Sequence, residues 1–122
     1  MMTGWIDADC QAIVPLAVKH RGSFAPDASI EFLIDTGFTG YLSIPSAWVD
    51  RFGLSVIDIQ RGITADGRAV YFETVDVTIL WHDEPRVIRA QVLEEPLIGT
   101  RLLRSNQATI RWESGSTFEI HR

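Results

Sequence analysis

Hydrophobic and polar residues alternate with a period of two along most of the chain, which is the pattern of β-strands that bury one face. Four runs of this kind occur, over residues 12–18, 30–34, 75–81 and 88–92. Pro15 lies inside the first run and lacks a backbone N–H, so we expect that strand to lie at a sheet edge or to carry a bulge there. Residues 23–29 separate the first two runs and predict a loop.

The end of the chain has the pattern of a hairpin, and the chain therefore begins and ends in strands. Apolar residues alternate over 108–112, turn-forming residues follow at 113–116, and alternation resumes over 118–120. Helical patterns are confined to residues 45–53, where Gly53 is the expected C-terminal stop, and to residues 100–106. The pattern predicts an all-β fold, a small barrel or sandwich, with one or two short helices.

Length and composition predict one domain spanning residues 1–122, because 46% of the 122 residues are hydrophobic. The formal net charge is −5 and the basic residues are interspersed with acidic ones, which argues against a nucleic-acid partner. The N-terminal residues lack the pattern of a signal peptide, and no apolar run reaches the roughly 20 residues that span a membrane. We expect a soluble, cytoplasmic protein with no membrane partner.

Residues of the types that commonly bind metals are scattered along the sequence. Cys10 is the single cysteine, so it has no partner for an internal disulfide or a zinc site. The three histidines are far apart, and Asp7 with Asp9 form a pair of acids without a further ligand cluster. We expect no metal and no cofactor.

One tripeptide, Asp35-Thr36-Gly37, places a carboxylate at the end of a predicted strand. In isolation, Asp and Gly at such a junction are typical of an ordinary turn. Here the strand is apolar on both faces at Leu33 and Ile34, so we expect Asp35 to emerge from the core. An ionisable group placed there costs free energy unless it has partners, and the two small residues after it leave room for them. The tripeptide is therefore a candidate catalytic half-site.

Residues 33–40, LIDTGFTG, resemble the active-site loop of the retropepsin-like (clan AA) aspartic proteases. Phe38 stands where Ala or Ser is usual in better-known members, and it resembles the single-domain bacterial and archaeal subgroup with Asp-Thr-Gly-Phe. The resemblance implies a small closed barrel that is active as a symmetric homodimer. It also implies an aspartic endopeptidase that acts on peptide or protein substrates.

Two further segments match the family in the same order along the chain. Residues 64–68, TADGR, resemble the flap hairpin that covers the substrate. The resemblance assigns this role to Ala65, Asp66 and Gly67, and Asp-Gly is also a favourable dipeptide for a hairpin turn.

The second of these two segments resembles a family feature in which two apolar residues and a glycine pack beneath the catalytic loop and precede a short helix. These residues are Leu97, Ile98 and Gly99. Thr100, which follows them, is a departure from the better-known members.

The chemistry implied by the resemblance needs two carboxylates, because one takes a proton from water while the other donates a proton to the peptide carbonyl oxygen. A second Asp-Thr-Gly is missing from the sequence, so the second carboxylate must be Asp35 of another copy. By resemblance, Thr36 hydrogen-bonds across to the other loop. Gly37 allows close approach and presents its N–H toward the carboxylate.

Two alternatives remain open from the sequence. The chain could keep the fold as a catalytically silent dimerisation or peptide-binding module, with Asp35 as a structural relic. It could also pair with a different chain instead of a second copy of itself.

Overall fold

The computed structural model describes residues 1–19 and 28–122. Residues 23–27 of the predicted loop lie outside the described residues, while Ala28 and Ser29 already belong to a strand. The described part contains the following elements: β1 (Met2–Ile6), β2 (Ala12–Val18), β3 (Ala28–Ile34), β4 (Leu42–Ile44), α1 (Ser46–Arg51), β5 (Val56–Ile63), β6 (Ala69–Trp81), β7 (Glu84–Val92), β8 (Leu97–Ile98), α2 (Thr100–Leu103), β9 (Gln107–Ala108) and β10 (Thr117–His121).

Six of these strands close into a barrel. Hydrogen-bonded neighbours follow the order β6-β7-β4-β8-β3-β2, and a pairing between Val18 of β2 and Ile79 of β6 joins the two ends. β5 extends the sheet beyond β6, while β1, β10 and β9 extend it beyond β2. The prediction of an all-β, closed barrel with two short helices is confirmed in the described part of the chain.

The two-residue strand β8 links the strands on either side of the Asp35 loop. Leu33 and Ile34 of β3 pair in parallel with Leu97 and Ile98 of β8. On its other side, β8 pairs antiparallel with β4, where Leu42 lies opposite Ile98. The chain segment between β3 and β4 is therefore anchored at both of its ends to the same short strand.

The core lies inside the barrel and combines the alternating apolar positions that the sequence pattern identifies with buried residues outside those runs. β2 alternates buried and half-buried residues along its whole length. Among the largest fully buried side chains are Phe32, Phe52, Leu16, Leu42 and Ile98. Each such side chain contributes roughly 1.5–3 kcal/mol when it leaves water.

The strand that contains Pro15 is neither an edge strand nor bulged at Pro15 in its pairing with β3, so that expectation is wrong. β2 is an interior strand, and Pro15 pairs with Glu31 of β3 on one side. On the other side, the register with β1 ends at Ile13 and the pairing with β6 is at Val18. Pro15 lies between these two partners, where neither strand pairs with it, so its missing N–H is tolerated.

The C-terminal hairpin is shorter than the sequence predicts. β9 contains only Gln107–Ala108, and residues 109–112 are not in a strand. The turn before β10 bonds to the end of β1 instead. The Gly115 N–H donates to the Ile6 carbonyl oxygen at 2.9 Å, and the Ile6 N–H donates to the Ser116 carbonyl oxygen at 2.8 Å.

Strand β1 precedes the first strand that the sequence pattern predicts, and it contains Gly4, a residue that is disfavoured in the middle of a strand. In the structure Gly4 lies opposite Phe118 of β10. A Cβ at Gly4 would overlap both the Phe118 ring and the Ile13 carbonyl oxygen. The glycine is therefore required by packing against residues that are distant in the sequence.

Helix α1 ends just before Gly53, the stop that the sequence predicts, whereas α2 is shorter than its sequence pattern predicts. Gly53 has a φ of +64°, which is the left-handed conformation expected of a residue that stops a helix, and it follows Phe52 at the end of α1. Helix α2 ends at Leu103, and Ser105 adopts a φ of +65° two residues later. Neither helix contributes more than one fully buried side chain to the core.

Candidate active site

The Asp35 loop begins directly after β3. The Asp35 N–H donates to the Ile98 carbonyl oxygen at 3.0 Å, which extends the pairing between β3 and β8 by one residue. The Phe38 N–H then donates back to the Asp35 carbonyl oxygen at 3.1 Å, so the chain reverses direction at this point. Asp35 is half-buried and Thr36 is exposed. The loop therefore places a carboxylate at the border between the barrel core and its surface.

Gly37 fixes the orientation of the Asp35 carboxylate. Its N–H donates to Oδ1 of Asp35 at 2.9 Å. A Cβ at Gly37 would lie 3.2 Å from the same oxygen, which is closer than a carbon and an oxygen ordinarily approach. The residue is exposed, so the absence of a side chain also leaves this side of the loop open to another chain.

Gly99 holds the far half of the loop. It is buried, and its N–H donates to the Tyr41 carbonyl oxygen at 3.0 Å. A Cβ at Gly99 would overlap the Gly40 carbonyl oxygen and lie 2.9 Å from Cδ2 of Phe38. Only glycine lets the loop pack this closely onto the start of α2.

Two further backbone bonds complete the contact between the loop and α2. The Thr100 N–H donates to the Phe38 carbonyl oxygen at 2.9 Å, and the Arg101 N–H donates to the Gly40 carbonyl oxygen at 3.2 Å. These donors belong to the first turn of α2, whose N–H groups have no partner within the helix. Phe38 and Thr100, the two departures from the family pattern, are thus in direct contact with each other.

Ser43 is a support residue that the sequence analysis missed. It is fully buried, its hydroxyl donates to the Glu95 carbonyl oxygen at 2.7 Å, and the Leu97 N–H donates to the same hydroxyl at 3.1 Å. The bonds tie β4 to the segment that leads into β8. A single serine in a short strand carries no local signal for this role, since its partners are more than 50 residues away.

The predicted flap residues lie at the tip of the β5–β6 hairpin. The strands pair from Val56 opposite Val75 up to Ile63 opposite Ala69, and Gly67 occupies the turn with a φ of +83°. The Gly67 N–H donates to the Thr64 carbonyl oxygen at 2.9 Å. The hairpin prediction for this segment is confirmed.

The Asp66 carboxylate forms hydrogen bonds with other residues of the hairpin tip. It accepts hydrogen bonds from the Thr64 hydroxyl and from Nε of Arg68, the latter at 2.9 Å. The bond from Thr64, followed by the bonds from Arg68, lowers the pKa of the Asp66 carboxyl below its ordinary value. Ala65 and Asp66 are both exposed, so the tip projects into solvent.

A cavity of about 800 Å³ lies between this hairpin and the barrel. It is lined by the start of α1, by the hairpin and by the end of β7; the lining includes Pro45, Ala47, Val70, Phe72, Leu93 and Glu94. Most of these side chains are apolar, and Glu94 adds a carboxylate. This lining could not be identified from the sequence, because its parts come from three separate segments.

The structure brings together two of the three predicted groups of site residues. Asp35, Thr36 and Gly37 form one loop, and the segment Leu97–Ile98 with Gly99 packs directly beneath it. The tip residues 65–67 belong to a separate hairpin, and their hydrogen bonds within residues 1–19 and 28–122 are local to that tip.

Residues 1–19 and 28–122 contain no group of three or more His, Cys, Asp or Glu side chains placed to hold a metal ion. No helix in this part of the chain is both long enough and apolar enough to cross a membrane.

Comparison with solved structures supports the retropepsin-like fold. The chain is similar to the retroviral aspartic protease in the structure of EIAV protease complexed with the inhibitor HBY-793. The TM-score is 0.55 at 16% sequence identity, and the match covers 77% of this chain and 86% of the viral chain. No model of a known protein family matches the sequence, and no curated protein matches it. The chain therefore has the fold of the retropepsin class of proteins.

Proposed function

We propose that this chain is one half of an aspartic endopeptidase, in which Asp35 from each of two identical subunits forms the catalytic pair. The observation that carries the proposal is the orientation of Asp35 by Gly37, at 2.9 Å, in a loop held by the buried Gly99. The loop follows directly on strand β3 of the barrel. The exposed Thr36 and Gly37 are available to a second copy of the loop.

Peptide hydrolysis by this pair proceeds in two steps. The ionised Asp35 takes a proton from a water molecule, the water oxygen bonds to the peptide carbonyl carbon, and the protonated Asp35 of the other subunit donates its proton to the carbonyl oxygen. The Asp35 that took the proton from water then donates it to the nitrogen as the C–N bond breaks, and a hydroxyl of the tetrahedral intermediate returns a proton to the other Asp35, which yields an amine and a carboxylic acid. Two neighbouring carboxylates share one proton because their like charges oppose full ionisation.

The β5–β6 hairpin and the cavity beneath it support an extended peptide as the substrate. An extended peptide bonds its backbone to strand edges while its side chains enter pockets. β5 is the outermost strand at its end of the sheet in the described residues, and the apolar lining at Val70, Phe72 and Leu93 suits apolar side chains. We propose that residues 65–67 act as a flap that excludes water from the cleft.

The test is digestion of a broad peptide library by the purified protein at acidic and at neutral pH, after its mass in solution has been measured. We expect a dimer that cleaves peptides. Asp35→Asn should abolish cleavage while the dimer remains folded, because the amide cannot accept a proton from water. Asp50→Asn is the matched control, since Asp50 is exposed on α1, and it should cleave at the wild-type rate.

Three results would contradict the proposal in distinguishable ways. A verified wild-type dimer that cleaves nothing would favour a silent peptide-binding module. A strict monomer would favour a different chain as the partner. Full activity in Asp35→Asn would remove Asp35 from the chemistry.

A further inference from the structure

A surface cavity of about 390 Å³ lies where β7 begins and α2 ends. Five residues line it, and we call them the arginine cluster: Arg86, Arg101, Arg104, Tyr41 and Ser105. Three carry guanidinium groups and two carry hydroxyl groups. None of the three arginines forms an ion pair with a carboxylate of the described residues. In a chain with a net charge of −5, three arginines that line one cavity and have no carboxylate partner among residues 1–19 and 28–122 indicate a site for an anion.

The ring of Tyr41 holds two of the three guanidinium groups in place. The guanidinium carbon of Arg101 lies 5.7 Å from the ring centroid and that of Arg86 lies 6.0 Å from it. Both distances are within the range of a cation–π interaction. Two arginines that would otherwise repel each other are thereby kept beside one cavity.

The backbone at each of the three arginines is also held by strand pairing or by a hydrogen bond. Arg86 lies opposite Ile79 in the ladder of β6 and β7. The Arg101 N–H is bonded to the Gly40 carbonyl oxygen at 3.2 Å, and the side-chain amide of Asn106 donates to the Arg104 carbonyl oxygen at 3.0 Å. The backbone of all three arginines and the guanidinium groups of Arg86 and Arg101 are therefore held before any ligand binds, which reduces the entropy lost on binding.

We propose that the arginine cluster binds the phosphate group of a small molecule. A guanidinium presents a planar fork of donors that matches phosphate oxygens in bidentate fashion. One fork can satisfy the two oxygens of a carboxylate, whereas three forks and two hydroxyls match the larger number of acceptors on a phosphate dianion. The site does not involve Asp35, and the proposal does not rest on peptidase activity.

A second cavity of about 430 Å³ adjoins the first and shares Arg86, Arg104 and Ser105 with it. Its other lining residues include Trp81 and Pro85. An organic group attached to the phosphate would enter this space. The ligand is thus either inorganic phosphate or a phosphate monoester whose organic part occupies the second cavity.

The test is calorimetric titration of the full chain with inorganic phosphate and, separately, with phenyl phosphate, at constant ionic strength and about pH 7.5, where phosphate is mainly dianionic. We expect saturable binding to one site per chain. Arg101→Gln and Arg104→Gln should each weaken binding by about tenfold or more, because each removes a charge-assisted bond. Arg111→Gln is the matched control, since Arg111 is exposed and does not line either cavity, and it should bind like the wild type.

The two ligands distinguish the sources of phosphate. Tighter binding of phenyl phosphate assigns the site to a monoester, and equal or weaker binding assigns it to free phosphate; both results support the proposal. It is overturned if neither ligand saturates up to about 10 mM. It is also overturned if Arg111→Gln weakens binding as much as Arg101→Gln, because the attraction would then be that of overall charge. Circular dichroism of each variant verifies that the fold is retained.

Discussion

The N–H of Gly37 donates a 2.9 Å hydrogen bond to Oδ1 of Asp35, two residues earlier in the chain. The carboxylate is therefore oriented by the backbone of its own loop. A hydrogen bond to a charged acceptor contributes roughly 1.5–3 kcal/mol, which is enough to select one rotamer. The same glycine leaves the exposed side of the loop without a side chain.

Gly37→Ala should reduce peptide cleavage by about tenfold or more. The new Cβ would lie 3.2 Å from Oδ1 of Asp35, so the carboxylate or the loop must shift by a few tenths of an ångström. Small displacements of catalytic groups have large effects on rate. The free energy of unfolding should change by less than about 1 kcal/mol, because Gly37 is exposed and alanine lowers the entropy of the unfolded chain. Cleavage at the wild-type rate would contradict the role given to this glycine.

Ser43→Ala should destabilise the protein by about 2 kcal/mol. The substitution leaves the Leu97 N–H and the Glu95 carbonyl oxygen without the hydroxyl that now satisfies both in a buried position. Urea unfolding measures the effect. Ser46→Ala provides the control, since Ser46 is exposed, and it should change stability by no more than about 0.5 kcal/mol. Equal stabilities of the two variants would show that the Ser43 bonds contribute nothing.

Gly99→Ala should cost about 3 kcal/mol, since a Cβ there overlaps the Gly40 carbonyl oxygen and the residue is buried. Gly53→Ala separates this steric effect from conformational strain. Gly53 has a φ of +64° and open space around it, so its substitution should cost only about 1 kcal/mol. If urea unfolding shows the two variants to be equally stable, close packing of the loop on α2 is not what requires Gly99.

Asp66 should titrate below its ordinary pKa of 3.8. Its pKa is lowered in the folded protein, so the bonds it accepts stabilise the hairpin tip above pH 3.8, and this stabilisation is lost as the pH falls through the folded-state pKa. An NMR titration of the Asp66 side chain measures the midpoint. Thr64→Val should raise the midpoint more than Arg68→Gln does, since Thr64 contributes most to the shift. A wild-type midpoint at or above 3.8 would contradict this account.

Strands β2 and β3 and the Asp35 loop could be predicted because their signals are local, whereas the closure of the barrel was implied by the family resemblance. Alternation identifies β2 and β3, and Asp35 follows an apolar strand in a recognisable motif. The packing of Gly99 beneath that loop was predicted from the resemblance alone, and the structure supplies its physical reason, the overlap that a Cβ would make with the Gly40 carbonyl oxygen.

The features that could not be predicted depend on residues far apart in the sequence. A glycine such as Gly4 is disfavoured in a strand, and the reason for it here is the Phe118 ring that lies opposite. Ser43 is an ordinary polar residue until the barrel closes around it. The arginine cluster likewise exists only because α2 packs beside the start of β7, which brings Arg101 and Arg86 to the same tyrosine ring.

The most direct test of the central proposal is a crystal structure of the purified protein that shows where the two Asp35 carboxylates lie. The account predicts a symmetric dimer in which they face each other across the two-fold axis within hydrogen-bond distance, about 2.5–3.2 Å. Carboxylates that point away from each other, or that lie in separate regions of the dimer, would contradict it.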